Sequence, residues 1–135
     1  MQPEVQPVSE SSAVQGQIVQ LMLSERQTDT MEELAEYHGP IDKSRAEEIL
    51  NVAGSNGSYL IRDSMSSPGS YCVCVLCDGW VFTYRVFKQK DGFWTMETAP
   101  GMKQRLFRKV NSLIAAFKIP DQGISFPLLH PVKKP

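Results

Sequence analysis

Ser58-Tyr-Leu-Ile-Arg-Asp63 is the stretch that decides the fold, because it sets an arginine inside an otherwise apolar run of the 135-residue chain. Its aromatic and β-branched residues follow the turn residues 55–57 and predict a short strand. A strand this apolar is covered on both faces, and burying an unpaired guanidinium is costly. Two interpretations of Arg62 stay open: a structural ion pair with Asp63 or Asp42, or a pocket whose anion arrives with a ligand.

The neighbours of Arg62 favour the ligand pocket. Successive side chains of a strand point to opposite faces, so Asp63 points away from Arg62 while Ser64 shares its face. Ser66 and Ser67 follow in a polar loop whose N–H groups can surround an anion. A guanidinium binds two phosphate oxygens in a fork, with charge-assisted hydrogen bonds of roughly 1.5–3 kcal/mol each. A buried arginine is reached only by a phosphate on a long rigid stem, which favours phosphotyrosine over phosphoserine.

The sequence around this strand predicts an α+β fold with a central antiparallel sheet flanked by two helices. Asp42 caps a first helix that runs through Ala53 and is stopped by Gly54. Three strands follow the first one, over 71–77, 80–87 and about 93–97, and Asp78-Gly79 is a strong hairpin signal. A second helix over 104–118 and a last short strand over 124–129 complete the domain. The apolar face of the second helix is predicted to be Leu106, Val110, Leu113, Ile114 and Phe117.

Residues 1–30 differ in composition from the rest of the chain. They are rich in Gln, Ser, Glu and Thr, contain no aromatic residue and hold four acidic side chains against one arginine. This composition predicts a disordered N-terminal extension ahead of a domain over residues 31–135. The spacing of Val14, Ile18, Leu21 and Met22 leaves a second possibility, a short amphipathic helix that docks on the domain or binds a partner.

Composition and cysteine spacing exclude several classes of protein. The formal net charge of −1 argues against a nucleic-acid partner, and no apolar run is long enough to insert into a bilayer. No secretory signal opens the sequence, so a cytoplasmic protein is expected. Cys72, Cys74 and Cys77 cannot form a disulfide framework or supply four zinc ligands, and none has an arginine six positions later. We therefore expect no metal, no cofactor and no enzymatic activity.

Tyr59-Leu-Ile-Arg-Asp-Ser64 resembles the phosphate-binding strand of Src-homology-2 (SH2) domains, and Tyr37-His-Gly39 is similar to their opening motif. The order of predicted elements agrees, and the resemblance covers about residues 31–134. Within the family, the chain is most similar to the free-standing adaptors of SLAM-family receptors in lymphocytes. Four segments carry that similarity: Thr83-Tyr-Arg-Val86, Glu97-Thr-Ala-Pro-Gly101, Phe107-Arg-Lys109 and Pro120-Asp-Gln-Gly123.

The resemblance implies which residues bind phosphotyrosine. Arg62 would make the bidentate phosphate contact, with help from the loop. Lys43 stands where relatives usually carry an assisting arginine, so the charge is kept but the planar fork is lost. Met65 stands where the subgroup often has an acidic residue. The implied phosphotyrosine-binding set is Arg62, Ser64, Ser66, Lys43, Cys72 and Arg85.

The same resemblance implies how a peptide would be read and how a kinase would be recruited. Glu47 would contact a threonine or serine two residues before the phosphotyrosine, and Thr83 would lie under the peptide. An apolar residue three places after it would enter a pocket near Trp80, Val81 and Glu97. Arg108, grouped with Arg105 and Lys109 on one helical turn, would dock the Src-homology-3 domain of the kinase Fyn.

The sequence thus predicts a monomeric, non-catalytic adaptor. It would bind phosphotyrosine motifs in the cytoplasmic tails of SLAM-family receptors, block phosphatase docking and recruit a Src-family kinase such as Fyn. The alternative is the SH2 module of a signalling protein that resembles inositol phosphatases.

Overall fold

Residues 30–135 are described by the computed structural model, and in them a five-stranded sheet lies between two helices. The predicted N-terminal extension and its apolar stripe lie outside the described residues. The elements are helices α1 (Lys43–Ala53) and α2 (Val110–Ala116) and strands β1 (Ser58–Asp63), β2 (Tyr71–Cys77), β3 (Trp80–Lys88), β4 (Trp94–Met96) and β5 (His130–Pro131). The strand order across the sheet is β4-β3-β2-β1-β5.

Helix α1 begins and ends where the sequence predicts. The Asp42 carboxylate accepts a hydrogen bond from the Arg45 N–H at 2.8 Å, which satisfies one of the free donors of the first turn. At the other end Gly54 adopts φ 81°, a left-handed conformation that glycine takes without steric cost. Ala46 and Leu50 are buried against the sheet and position the helix on it.

Strands β1, β2 and β3 form an antiparallel meander in the predicted order, and the predicted hairpin turn joins β2 to β3. Asp78 and Gly79 both have positive φ, 51° and 84°, as a tight hairpin turn between twisted strands requires. Leu76 pairs with Val81 across that turn, and Arg62 pairs with Cys72 on the other side of β2. Because side chains alternate along each strand, this register fixes which residues share a face.

The two faces of the sheet differ in character. The α2 face carries the larger apolar cluster, in which Tyr59, Ile61 and Val73 pack with Leu113 and Phe117. The α1 face carries a smaller cluster that includes Leu60, Cys74 and Leu76. Arg62 shares the α1 face, at the end of the smaller cluster.

The second predicted helix is wrong over its first six residues. Helix α2 starts at Val110, because Phe107 pairs with Trp94 through two backbone hydrogen bonds of 2.7 and 2.9 Å. The Thr95 hydroxyl also donates to the Arg105 carbonyl at 2.8 Å. These contacts keep the segment extended beside β4 and leave Leu106 47 % exposed rather than in the core.

The last predicted strand is also displaced. Sheet pairing occurs at His130–Pro131 rather than over 124–129, and it is parallel to β1, so the sheet is mixed at this edge. The Leu129 and His130 N–H groups both donate to the Gly57 carbonyl at 3.0 Å. Further upstream, the Ser125 N–H donates to the Tyr84 hydroxyl, so the segment around Ser125 forms a loop rather than a strand of the sheet.

Candidate functional site

Arg62 is a buried cation that the described residues do not neutralise. Its side chain is 6 % exposed, and its Nη1 donates to the Asp63 carbonyl at 3.1 Å. Its buried Nε has no hydrogen-bond partner, and no carboxylate oxygen of residues 30–135 lies within 4.0 Å of the guanidinium. Because native proteins rarely leave a buried charge without compensation, this site is built for an anion.

The two carboxylates considered as partners of Arg62 are engaged elsewhere. Asp63 accepts a hydrogen bond of 2.6 Å from the Tyr37 hydroxyl, on the opposite face of β1, and Asp42 caps α1. Burial, followed by the hydrogen bond to Asp63, raises the pKa of Tyr37, so this hydroxyl stays protonated and keeps donating. The structural ion pair is therefore not formed among the described residues.

Arg62, Cys72 and Arg85 form one row across the α1 face. Arg62 is the register partner of Cys72, which is in turn the partner of Arg85. Two strand spacings separate the arginine backbones, or about 10 Å. Cys72 is 8 % exposed and lies between the two cations. The row can accommodate a flat anionic group with a guanidinium at each end.

The next row, which contains Leu60, Cys74 and Thr83, closes the floor beside this site. The Thr83 hydroxyl donates to the Cys74 sulfur at 3.7 Å. Burial is the main cause that raises the pKa of the Cys74 thiol, so it stays neutral. Cys74 thus contributes a neutral floor to the site.

The serines predicted to bind phosphate differ in burial, because Ser64 lies at the start of the loop after β1 and Ser66 at its tip. Ser64 is buried and its hydroxyl accepts a hydrogen bond from the Ser67 N–H at 3.1 Å. The Ser64 N–H donates to the Ser70 carbonyl, which closes the loop on itself. Ser66 is exposed at the loop tip. Because the Ser67 N–H donates to the Ser64 hydroxyl, it is not free to bind an anion, as the sequence had suggested for the N–H groups of this loop.

Lys43 and Glu47 both lie on α1, the helix that covers this face. Lys43 is the first helical residue and is exposed, whereas Glu47 is partly buried one turn later. The roles that the resemblance implies for them, phosphate binding for Lys43 and an upstream peptide contact for Glu47, stay predictions.

Arg85 forms an ion pair with Glu97. From the sequence, Arg85 is expected in the phosphotyrosine site and Glu97 in the pocket for a downstream apolar residue. The Arg85 Nη2 lies 2.6 Å from the Glu97 Oε2, and both side chains are roughly half exposed. The guanidinium also stacks over the Phe87 ring at 5.3 Å, while its Nε is buried without a hydrogen-bond partner. In this state Arg85 is directed toward Glu97.

Trp80, Val81 and Glu97, the residues expected near the pocket for an apolar peptide residue, lie apart along β3 and just after β4. Trp80 is 73 % exposed beside the hairpin turn, and Val81 packs at the edge of the smaller core cluster. Glu97 is held at the other end of β3, since its N–H donates to the Arg85 carbonyl. Val81 and Arg85 are four residues apart on an extended strand, or about 13 Å.

A cavity of about 600 Å³ also lies on the other side of β3, and sequence reasoning missed it. It is formed by two loops that follow β4 and α2. The Ala99 N–H donates to the Gly123 carbonyl at 2.9 Å, and a Cβ on Gly123 would lie 2.9 Å from the Met102 Cγ. The turn residues around Pro100 and Asp121 indicate the two loops that form the cavity. The cavity is lined by Tyr84, Ala99, Met102, Asp121, Gly123, Ile124 and Ser125.

Arg108 lies just before α2, well away from the row on the α1 face. Its guanidinium stacks over the Phe93 ring at 4.9 Å and its side chain is exposed. The expected turn of helix with Arg105 does not exist, because α2 begins later. Arg105 stacks over Phe107 and Phe117 instead.

Fold and site together define a small domain whose sheet carries a buried arginine on β1, without a carboxylate partner among residues 30–135. A profile of the SH2 domain matches residues 37–117, and the chain belongs to the SH2 family. Helices long and apolar enough to cross a membrane are lacking among the described residues.

Three relatives place the chain within that family. It is 39 % identical over 102 residues to SH2 domain-containing protein 1B of Homo sapiens, covering 76 % of this chain and 77 % of the relative. It is 40 % identical over 98 residues to phosphatidylinositol 3,4,5-trisphosphate 5-phosphatase 2B of Danio rerio, which is 73 % of this chain but only 8 % of the relative. The solved SH2 domain of a Monosiga brevicollis CRK/CRKL homolog superimposes with a TM-score of 0.61 at 26 % identity, covering 75 % and 88 % of the two chains.

Proposed function

We propose that this protein is a non-catalytic, cytoplasmic adaptor that binds phosphotyrosine motifs in the tails of SLAM-family receptors. The observation that carries the proposal is Arg62, a buried guanidinium without a carboxylate partner in the described residues. Residues 31–135 form the binding domain in this proposal, and the first 30 residues are an extension to it.

The depth of Arg62 selects the ligand. A phosphotyrosine ring lies over Cys72 and delivers its phosphate to the Arg62 fork, while the shorter stem of phosphoserine stops at the surface. Ser64, Ser66 and Lys43 assist from the loop and from α1. Arg85 flanks the ring once Glu97 releases it, because a half-exposed ion pair contributes only about 0–1 kcal/mol.

The peptide crosses β3, which leaves one edge open. Strand β4 pairs only with Val86, Phe87 and Lys88, so the first half of β3 has backbone groups available for an added strand. Residues before the phosphotyrosine lie along Thr83 and toward Glu47. An apolar residue after it enters the cavity beside Tyr84, while the pocket near Trp80, Val81 and Glu97 stays a prediction.

Similarity to known proteins supports the free-standing organisation, whereas the receptor class rests on the four segments in which the chain resembles the adaptors of SLAM-family receptors. The match to SH2 domain-containing protein 1B covers most of both chains, whereas the inositol phosphatase match is confined to 8 % of that relative. We therefore favour the free-standing adaptor over the module of an inositol-phosphatase-like protein. By occupying receptor motifs, the adaptor would keep phosphatases from docking on them.

Kinase recruitment uses a second surface in this proposal. Arg108 is exposed near α2, and its guanidinium lies over the Phe93 ring, without an ion pair to an acidic side chain of residues 30–135. An acidic surface of the Src-homology-3 domain of Fyn would bind it. Since the phosphate row lies on the opposite face of the sheet, receptor and kinase would bind at the same time.

A peptide panel tests the proposal. Calorimetry of the full chain with SLAM-family receptor-tail peptides, each with and without phosphate on tyrosine, should show tight binding of phosphorylated peptides only. A matched phosphoserine peptide is the control for depth. Equal affinity for the phosphoserine peptide, or no binding to any phosphorylated receptor peptide, would reject the assignment.

A further inference from the structure

An apolar groove of about 480 Å³ lies between the last two turns of α1 and the C-terminal residues. Its apolar walls are Ile49, Val52, Ala53, Val132 and Pro135. None of the residues assigned to phosphotyrosine or kinase binding lines it. We call it the C-terminal groove.

Val52 indicates that the C-terminal groove is a docking surface. This branched side chain is 88 % exposed on α1, beside the partly buried Ile49. Scattered exposed apolar residues are ordinary, but apolar side chains that converge on a concave surface mark an interaction site. The C-terminal wall is held in place, since the Val132 N–H donates to the Tyr59 carbonyl and the Val132 carbonyl lies 2.7 Å from the His38 Nε2.

The charge around the groove favours an acidic occupant. Arg45 and Lys133 line it and Lys134 follows, while the one acidic lining residue, Glu48, is paired with Arg45 at 2.8 Å. The first 29 residues hold four carboxylates and one arginine, a net charge of −3. Two of those carboxylates, Glu10 and Glu25, flank the apolar stripe of Val14, Ile18, Leu21 and Met22.

The chain before Thr30 is long enough to bring the stripe to the groove. The Lys134 N–H donates to the Ala35 carbonyl at 3.3 Å, so Ala35 lies next to the groove wall. Thr30 is five residues from Ala35, at most about 18 Å of chain, and Met22 is eight residues from Thr30, at most about 28 Å. The stripe can therefore reach the groove without distortion of the domain.

We propose that Val14, Ile18, Leu21 and Met22 pack into the C-terminal groove of the same chain as one face of an amphipathic helix. The tether gives an effective concentration on the order of 1 mM, so even a contact with a Kd on the order of 0.1 mM would be closed about ten times out of eleven. Docking covers Val52 and places the acidic flanks near Arg45 and Lys133. The contact does not depend on the phosphate site.

Amide hydrogen exchange of the full chain tests this docking. We expect residues 14–22 to exchange about tenfold slower than an unstructured peptide of the same sequence, and Val52→Glu to abolish that protection. Ile119→Glu is the matched control, because Ile119 is also exposed, at 57 %, and lies outside the groove. Unprotected exchange of 14–22 in the wild-type chain would overturn the proposal.

A second variant and two further measurements distinguish docking of the same chain from binding of a second copy or of a membrane surface to the groove. Leu21→Asp should raise the exchange of residues 14–22 to the rate of the unstructured peptide, since it removes one apolar contact with the groove. Protection that increases with protein concentration would overturn docking in cis in favour of a second copy. Binding to phosphatidylserine vesicles that Val52→Glu removes, with no change in the exchange of 14–22, would overturn it in favour of a membrane surface.

Discussion

The two faces of the sheet use the same strands for different purposes. On the α2 face, Ile61 and Val73 are fully buried with Leu113 in the main core. On the α1 face, their immediate neighbours are Arg62 and Cys72, and the buried Nε of Arg62 has no hydrogen-bond partner. Because the strand period is two, one residue separates a position that stabilises the fold from a position that buries a charge without a carboxylate partner among residues 30–135.

The largest effect should come from Arg62→Ala on the α1 face. Loss of two charge-assisted hydrogen bonds to phosphate lowers phosphopeptide affinity by about 100-fold or more. Thermal stability should stay equal or rise, since the variant removes an uncompensated buried cation. Calorimetry and thermal melts measure the two quantities. Arg62→Lys keeps the charge without the planar fork, so its phosphopeptide affinity should lie between those of the wild type and Arg62→Ala. A melting temperature of Arg62→Ala far below that of the wild type would mean that Arg62 supports the core.

Leu113→Ala should show the opposite pattern on the α2 face. Leu113 is 0 % exposed, and truncation of a buried leucine lowers the free energy of unfolding by about 2–5 kcal/mol. Phosphopeptide affinity of the folded fraction should be unchanged. Urea unfolding measures this, with Leu106→Ala as the same chemical change at an exposed position. Similar losses in the two variants would contradict the observed start of α2.

Arg108→Ala should reduce binding of the Fyn Src-homology-3 domain by about tenfold, as expected for a salt-sensitive interface arginine. Receptor peptide binding should be unchanged, because the arginine lies away from the phosphate row. Pull-down and calorimetry on the same variant separate the two activities. A variant that loses both ligands would contradict two independent surfaces.

Glu97→Gln should raise phosphopeptide affinity by no more than about fivefold, the equivalent of a half-exposed ion pair. Glu97 holds Arg85 at 2.6 Å, so its neutral replacement frees the guanidinium for the ligand. The difference between variant and wild type should shrink at high salt, because salt screens the pair. Reduced affinity in the variant would indicate that Glu97 positions Arg85 for binding.

The smallest effect concerns the alkaline stability of the α2 face. Burial and the hydrogen bond to Glu32 raise the pKa of Tyr71 to about 12, against about 10 in the unfolded chain. Between these values the folded chain keeps a proton that the unfolded chain has lost, so the free energy of unfolding falls as pH rises. Urea midpoints from about pH 8 to about pH 11 should fall less steeply in Tyr71→Phe. Identical slopes would refute this contribution.

The sequence predicted local features well. Strands β1 and β2 and helix α1 were predicted with their observed bounds, because turn residues and caps signal where each begins and ends. The parity argument also holds, since the Asp63 side chain lies on the Tyr37 side of β1. These features depend on neighbours in the chain.

Features that depend on distant contacts were missed. The segment before α2 has a helical apolar pattern, but its backbone pairs with β4, thirteen residues upstream of Phe107 at Trp94. The cavity beside Tyr84 joins loops that are far apart in the chain and meet through one hydrogen bond between Ala99 and Gly123. No local pattern predicts such a meeting.

Cys72 gives the phosphate site a built-in chemical reporter. Its thiol lies in one row with two guanidinium groups and keeps a small accessible fraction. A bound phosphotyrosine ring would shield this sulfur from alkylating reagents. Receptor engagement could then be followed by thiol labelling of the native chain, without a dye or an affinity tag.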